Sequence, residues 1–502
     1  MTWATGLLAP DQPWAPLLVA TPLAAALAAV PFGRRAPLLL VALTPFSGAL
    51  AVLAIAQVWS HGEIVYHVGG WPPPLGITLR IDGLSAVFIA TTALVATGVA
   101  LFSLPKYGRQ SKGETRAAFA FWPLLFAMWA GLNAVFVSND LFNLYVALEL
   151  LTLTAVALVA LDGKPKTIAA AIRYLLFALT GSLAYLLGVI FLYGVFGSLD
   201  ISALAISASP HAVVLAAGVV MTTGLLAKTA LFPLHGWLPP AHSGAPAPAS
   251  AMLSALVVKA SFFIILRLWF TALPMAASAA FLQLLASLGA VAIVFGSVLA
   301  LRQNKLKLIV AYSTVAQLGY LFLMFPLAGG GNEMQSWAAS AWTGGVFQAL
   351  AHATAKAAMF LAVGAMIEAA GEDRLDRLTG IAHGVPVAVF AFGLASLSLM
   401  GLPPSGGFIA KYLLLTSALA SGQWWWAAVM IAGGLLAAAY LFRPLSRALA
   451  EADPKLFTPV PRLQQFIPLA LAALSVLLGI FSAQPYALLQ IGRVPGASEG
   501  LP

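Results

Sequence analysis

Six ionisable side chains lie deep inside long apolar runs of this 502-residue sequence: Glu149, Lys228, Lys259, His352, Lys356 and Lys411. A charge at the centre of a membrane helix costs about 2.5–3.5 kcal/mol on insertion scales, so such residues persist where they face a polar interior. Amines, an imidazole and a carboxylate in series can pass protons without any bound cofactor. A carboxylate beside an amine favours the ammonium form while burial disfavours it, so separating the two releases a proton.

Each residue also has a plainer reading. Glu149, in "SNDLFNLYVALELLTLTAVAL", suits either a helix–helix hydrogen bond or the modulation of a nearby lysine, whereas Asp140 suits a helix cap. Lys228 precedes "LFPLHGWLPP", where Pro233 removes an N–H and frees carbonyls that need water or another helix. His235 and His242 flank that break, and water-network and loop roles both fit them. Lys259 is central in its own run. His352 and Lys356 are four apart, hence on one helical face, and histidine titrates near neutrality. Lys411 follows "GLPPSGG", where Pro403 and Pro404 mark an unwound hinge or half-channel. Arg173, near the start of its run, is placed to snorkel to the interface.

Other chemistries are poorly served. The chain has no cysteine, which excludes disulfides, thiolate-held iron–sulfur clusters and Cys-ligated zinc. The histidines are scattered, and lysines outnumber carboxylates in the buried set, so no metal site is expected. "AGGGNE" lacks the strand–loop–helix setting of a phosphate loop. We therefore expect no cofactor, and no redox or hydrolytic site on this chain.

The elements that must position these residues are membrane helices. The sequence is 61% hydrophobic and 8% charged, against roughly 25% charged in soluble domains. Apolar runs long enough to cross a hydrocarbon core recur throughout. Fourteen spans are expected, near 15–32, 37–59, 83–103, 117–137, 141–161, 168–196, 212–238, 246–270, 279–301, 307–328, 338–369, 384–418, 424–442 and 466–482. No cleaved signal peptide is expected in "MTWATGLLAPDQPW". Of 25 Lys and Arg residues, 17 fall in the odd-numbered connections and 3 (Arg80, Arg267, Arg493) in the others. That bias places both termini outside and explains the net charge of +9 without nucleic acid.

The expected organisation is all-α and polytopic. Residues 1–116 hold three helices with an extramembrane hairpin near 63–82, around "GGWPPP". Five-helix units follow at 117–270 (spans four to eight) and 279–442 (spans nine to thirteen), then a last helix and tail at 443–502. Spans seven and twelve each carry a lysine beside a Pro/Gly break. Five is odd, so the two units would be inverted, an arrangement that points to an ion pathway at mid-depth.

The motifs "SNDLFNLYVALELL", "AKTALFPLHGWLPPAHSGAPAPASAMLSALVVK", "KLKLIVAYSTVAQLGY", "HATAKAAMFL" and "GLPPSGGFIAKYLLL" occur in order along the chain. Together they resemble the antiporter-like subunits shared by respiratory complex I and Mrp-type Na⁺/H⁺ antiporters, most nearly the Mrp D-type. The resemblance covers spans three to thirteen. It implies broken helices seven and twelve and a mid-membrane chain of polar residues. By motif, Glu149 would be the key glutamate, Lys228 its partner, Lys259 the bridging lysine, His352 and Lys356 the central pair and Lys411 the terminal lysine. Where many relatives read Asp-Leu-Lys, this chain has Lys305-Leu306-Lys307, which puts the aspartate's ion pair in doubt. The chain is also expected to lack the long lateral helix of the largest complex I paralogue.

The expected function is proton translocation, in a multi-pass subunit of a complex in the bacterial inner membrane. H⁺ is the favoured ion, because Glu149 is the only deep carboxylate and a dry Na⁺ site wants several oxygens. The partners would be other membrane subunits of an Mrp-type cation/proton antiporter. A complex I-type, hydrogenase-type or inorganic-carbon-uptake complex is the alternative. A non-conducting scaffold would have lost the buried lysines, and all are present. A stand-alone transporter of an organic solute would need a ligand-sized cavity.

Overall fold

The computed structural model describes residues 13–108, 115–207, 211–451 and 457–493. Residues 1–12, the basic residues Arg109, Lys112 and Lys455, and the tail from 494 onward lie outside the described residues. Within hydrocarbon every backbone polar group must be satisfied internally, so the apolar runs form helices. Helices α1 (Trp14–Phe32) and α2 (Leu39–His61) are joined by the 3₁₀ turn Gly33–Leu38. There follow α3 (Gly83–Tyr107), α4 (Arg116–Val137), α5 (Leu141–Val159), α6 (Pro165–Phe196), α7 (Ala212–Thr229) and α8 (Ala247–Ala272). The rest are α9 (Ala279–Leu301), α10 (Leu306–Phe322), α11 (Ala338–Ala370), α12 (Pro386–Met400), α13 (Gly406–Ala420), α14 (Trp424–Leu449) and α15 (Arg462–Ile480).

Twelve of the described helical stretches are long and apolar enough to cross a membrane. The expected count of fourteen differs in two places. Spans one and two fall in one 48-residue stretch, Trp14–His61, and the twelfth is split into α12 and α13, each too short alone. Helix α8 is buried along its length, and α10 and α11 nearly so, whereas α1, α2 and α15 face outward. Lys259, His352 and Lys356 thus ride on the most enclosed helices.

The hairpin is a short antiparallel ladder, β1 (Ile64–His67) on β2 (Thr78–Ile81), with Ile64 opposite Ile81 and His67 opposite Thr78. It leads into Asp82, which caps α3 by accepting from the Ser85 N–H at 2.9 Å. The same carboxylate takes a bidentate pair from Arg267 on α8, at 2.5 and 2.7 Å. Arg80 joins Glu63 at 2.6 Å and the Gly492 carbonyl at 3.0 Å, drawing the C-terminal segment into the cluster. Arg80 and Arg267 therefore tie the hairpin, α3, α8 and the C-terminal segment together. As read from sequence, Asp140 caps α5, accepting from the Asn143 N–H at 2.7 Å, and Arg173 is exposed.

Two glycines set the crossing that matters most for the site. A Cβ on Gly181 of α6 would come 2.6 Å from the Gly224 carbonyl oxygen, and one on Gly224 of α7 would come 2.2 Å from that of Gly181. Only glycine permits that approach, which brings Ser182 and Lys228 to the same level.

Candidate functional site

At one end of the site, the Lys228 ammonium lies 3.3 Å from Glu149 Oε1 and donates to Thr152 Oγ1 at 2.7 Å. Ser182 on α6 donates to the same Glu149 oxygen. Glu149 and Thr152 are one turn apart on α5, so both meet the lysine from one face. The Lys228 side chain is 6% exposed and Glu149 is 21% exposed, so the carboxylate is less enclosed by this chain than the lysine.

Helix α7 ends one residue after Lys228. The break begins at Ala230, a non-glycine residue in the left-handed region at φ 58°, three positions before Pro233. Two carbonyls just ahead of the break are taken: the Ala230 and Leu231 N–H groups donate to Ala227 and Leu226, and the Trp237 indole donates to Ala227 at 2.8 Å. Trp237 in turn stacks on Tyr174 at 4.1 Å. Within the break Pro233 and Gly236 are exposed, while Trp237 is buried. His235 is partly buried against Phe232 and Phe295.

Thr229 continues the track to α8 through a 2.9 Å bond to Ser261. Lys259 has no exposed surface and donates to the Ser254 carbonyl, five residues back. A π-helical turn, Leu253–Val257, widens the ladder at Ser254. The Ser254 hydroxyl bonds Thr314 on α10 at 2.9 Å, and Thr314 donates to the Val310 carbonyl at 3.0 Å. That carbonyl also accepts from Lys356 at 3.0 Å, and Lys356 reaches Ser313 as well. Four residues before Lys356, His352 is 1% exposed, with no hydrogen bond to either ring nitrogen among the described residues.

One further turn back, Gln348 donates to Gln317 at 3.0 Å, and Gln317 donates to the Leu399 carbonyl at 3.0 Å. Lys411 donates to the same carbonyl at 2.6 Å and to Met400 at 3.2 Å, and lies 4.4 Å from the centroid of the Tyr320 ring. Leu399 and Met400 end α12, and Gly401 at φ 85° with Pro403 and Pro404 forms the gap before α13. This break exposes its last carbonyls to a lysine.

The six expected residues thus lie along a track of three hydrogen-bonded groups, Glu149–Lys228, Lys259–Lys356 joined through α10 with His352 one turn away, and Lys411 at the α12–α13 gap, with only neighbours in sequence between the groups. Of the four lysines on the track, only Lys228 has a carboxylate partner among the described residues; Lys259, Lys356 and Lys411 rest on carbonyls and hydroxyls. Sequence reasoning missed Thr152, Ser182, Ser254, Ser313, Gln317 and Gln348. Gln348 had a signal, since it precedes His352 and Lys356 at the same four-residue spacing. At the Lys305-Leu306-Lys307 departure, Asp373 from the loop after α11 supplies the missing carboxylate. It accepts from the Lys307 N–H at 3.0 Å, while its carbonyl accepts from Leu306 at 2.9 Å.

The family model described as NADH:quinone oxidoreductase/Mrp antiporter, TM, matches residues 138–437. The N subunit of the NADH-quinone oxidoreductase of Desulforudis audaxviator is 36% identical over 465 residues, 90% of this chain and 89% of that protein. The D-type subunit of the Na(+)/H(+) antiporter of Bacillus subtilis is 28% identical over 371 residues, 73% of this chain and 72% of that protein. Among solved structures, a chain of the Mrp complex from Dietzia sp. DQ12-45-1b superposes with a TM-score of 0.85 at 26% identity, covering 98% of both chains. A chain of respiratory complex I from Thermus thermophilus gives 0.73 at 25% identity, covering 94% of this chain and 98% of that one.

Proposed function

This chain belongs to the family of membrane subunits common to NADH:quinone oxidoreductases and Mrp antiporters, and from that premise we propose that it translocates protons within an Mrp-type cation/proton antiporter. The observation that carries the reading is the track itself: buried amines in series, joined by hydroxyl, carbonyl and amide groups. At one end a carboxylate holds an ammonium. When Glu149 moves away from Lys228, the ammonium loses its counter-charge and gives up its proton toward Ser261 and Lys259. Lys356 and His352 carry it on, and the Gln348–Gln317 bridge leads to Lys411.

In this reading residues 117–270 and 279–442 form inverted five-helix units. The basic connections face the cytoplasm, and both termini face the periplasm of a bacterial inner membrane. The transported ion on this chain is H⁺. Na⁺ passes elsewhere in the complex, because the track offers one partly exposed carboxylate. A second reading, a proton-pumping subunit beside redox partners, is favoured by the 36% identity to the N subunit of a quinone oxidoreductase. In both readings the partners are other membrane subunits.

The test is proton flux in vesicles carrying the intact complex with Lys228→Ala or Glu149→Ala. Loss of coupled flux in each supports the reading. Unchanged flux in both removes it.

A further inference from the structure

Five membrane helices begin or end around one cavity of about 480 Å³. Its walls come from the last turns of α3 and α11 and from the first turns of α8, α10 and α15. The ends of helices that cross a hydrocarbon core lie at the level of lipid headgroups. The mouth carries the exposed Lys106 and Glu368. On α15 the exposed Leu463 and Phe466 flank the inward-facing Gln464, so one rim of the cavity adjoins apolar, outward-facing surface.

The polar lining falls into donors and acceptors. Lys106 holds its ammonium 5.6 Å from the centroid of the Tyr107 ring. Lys307 donates one ammonium N–H to the Ala245 carbonyl at 2.9 Å, which fixes the side chain and uses one of its three donors. Glu368 and Gln464 offer acceptors. Gln464 is 1% exposed, and its amide donates to the Phe102 carbonyl at 3.5 Å. Its side-chain oxygen has no hydrogen-bond partner among the described residues. A buried amide oxygen without a donor is costly, and a ligand hydroxyl would satisfy it. Two lysines against one glutamate leave the lining with one positive charge to balance.

We propose that this cavity binds the headgroup of an anionic glycerophospholipid, phosphatidylglycerol. The phosphate sits on Lys106 and Lys307, and the headgroup hydroxyls donate to Gln464 and Glu368. Basic pockets between membrane helices suit acidic headgroups. At about 30 Å³ for each water-sized atom, the volume has room for on the order of ten, enough for a phosphate and a glycerol. At Gly364 a Cβ would come 2.4 Å from that of Ala247, so α8 closes on α11 at the cavity wall and the bound lipid braces that junction. The inference goes beyond the translocation reading, because the site recognises a lipid whichever ion crosses the chain.

The test uses Ser103→Cys, which puts one thiol on the cavity wall of this cysteine-free chain within the intact, delipidated complex. The rate at which a small thiol reagent labels this chain is read as each lipid is added back. Phosphatidylglycerol is expected to protect at a concentration at least about tenfold lower than phosphatidylmethanol, which keeps the charged phosphate and has no headgroup hydroxyl. Gln464→Leu in the same background should erase that preference, and Lys106→Glu should weaken protection by phosphatidylglycerol about tenfold. Labelling that phosphatidylglycerol leaves unchanged overturns the proposal, as does equal protection by the two lipids. Stronger protection by phosphatidylethanolamine overturns the anionic assignment, and equal protection by inorganic phosphate overturns the lipid. If Ser103→Cys fails to assemble, native mass spectrometry compares phosphatidylglycerol retained by the parent complex and by Lys106→Glu, whose side chain is exposed. One fewer bound lipid in the variant is expected, and equal retention overturns the site.

Discussion

Gln317 and Lys411 share one acceptor: the amide at 3.0 Å and the ammonium at 2.6 Å both donate to the Leu399 carbonyl at the end of α12. The helix break therefore has a purpose beyond bending the chain. It leaves a carbonyl without a helical donor, and that carbonyl becomes the contact between the central helices and the terminal lysine.

Replacing Gln317 with Leu removes this contact and strands the Gln348 amide. A lost buried hydrogen-bond partner costs about 1–3 kcal/mol, so a modest fall in melting temperature is expected. Flux in vesicles should fall as well, because the substitution removes the only polar contact among the described residues joining the central helices to the Leu399 carbonyl that holds Lys411. Full flux in Gln317→Leu would mean that protons reach Lys411 by another route.

At the α6–α7 crossing, Gly224→Ala places a methyl group where the Gly181 carbonyl now sits. The helices must separate, carrying Ser182 away from Glu149 and Lys228 out of register. Reduced coupled flux in an assembled complex is expected, and a variant that assembles and pumps like the parent would show the crossing to be slack.

Asp82 and Arg267 make a prediction about acid stability. Burial works against the Asp82 carboxylate, but the Arg267 and Arg80 guanidiniums and the Ser85 N–H together outweigh it and hold the carboxyl below its ordinary range. A depressed folded value means the stabilisation is complete above about pH 4, where unfolded aspartate is ionised. It is lost as pH falls through the lower folded value. Asp82→Asn strands a buried guanidinium at a cost of about 3–5 kcal/mol. The melting gap between parent and variant should be constant above about pH 5 and narrow in stronger acid.

The Asp373 cap on α10 separates geometry from charge. Burial pushes its carboxyl up, against the lowering effect of the Lys307 N–H and charge. With a raised folded value, ionisation weakens folding as pH rises through it. Asp373→Asn keeps an acceptor without the buried charge and should melt at or slightly above the parent near neutrality. Asp373→Ala should lose about 1 kcal/mol, the usual worth of a cap. Equal melting of the two variants would show the cap to be idle.

The six charged members of the track were legible because a charge in an apolar run is costly and stands out against Leu, Ala and Val. The groups that connect them were not. Serine, threonine and glutamine sit in membrane helices with little penalty and no periodic signature, so Thr152, Ser254 and Gln317 looked like their neighbours until the helices were packed. The π-helical turn at Ser254 has no Gly or Pro to announce it, and the left-handed break at Ala230 was assigned instead to Pro233. Arg267 read as a topology marker because its partner Asp82 is 185 residues away in sequence. The Gly/Pro break at "GLPPSGG" was visible, since those residue types declare a gap wherever they fall.

The central claim is that one track joins Glu149–Lys228 to Lys411 through the buried lysines. The most direct test is proton flux through the intact complex in vesicles carrying Lys228→Ala or Lys411→Ala, one at each end. The account predicts that each substitution alone abolishes coupled flux while the complex assembles. Full flux with either lysine removed would contradict it.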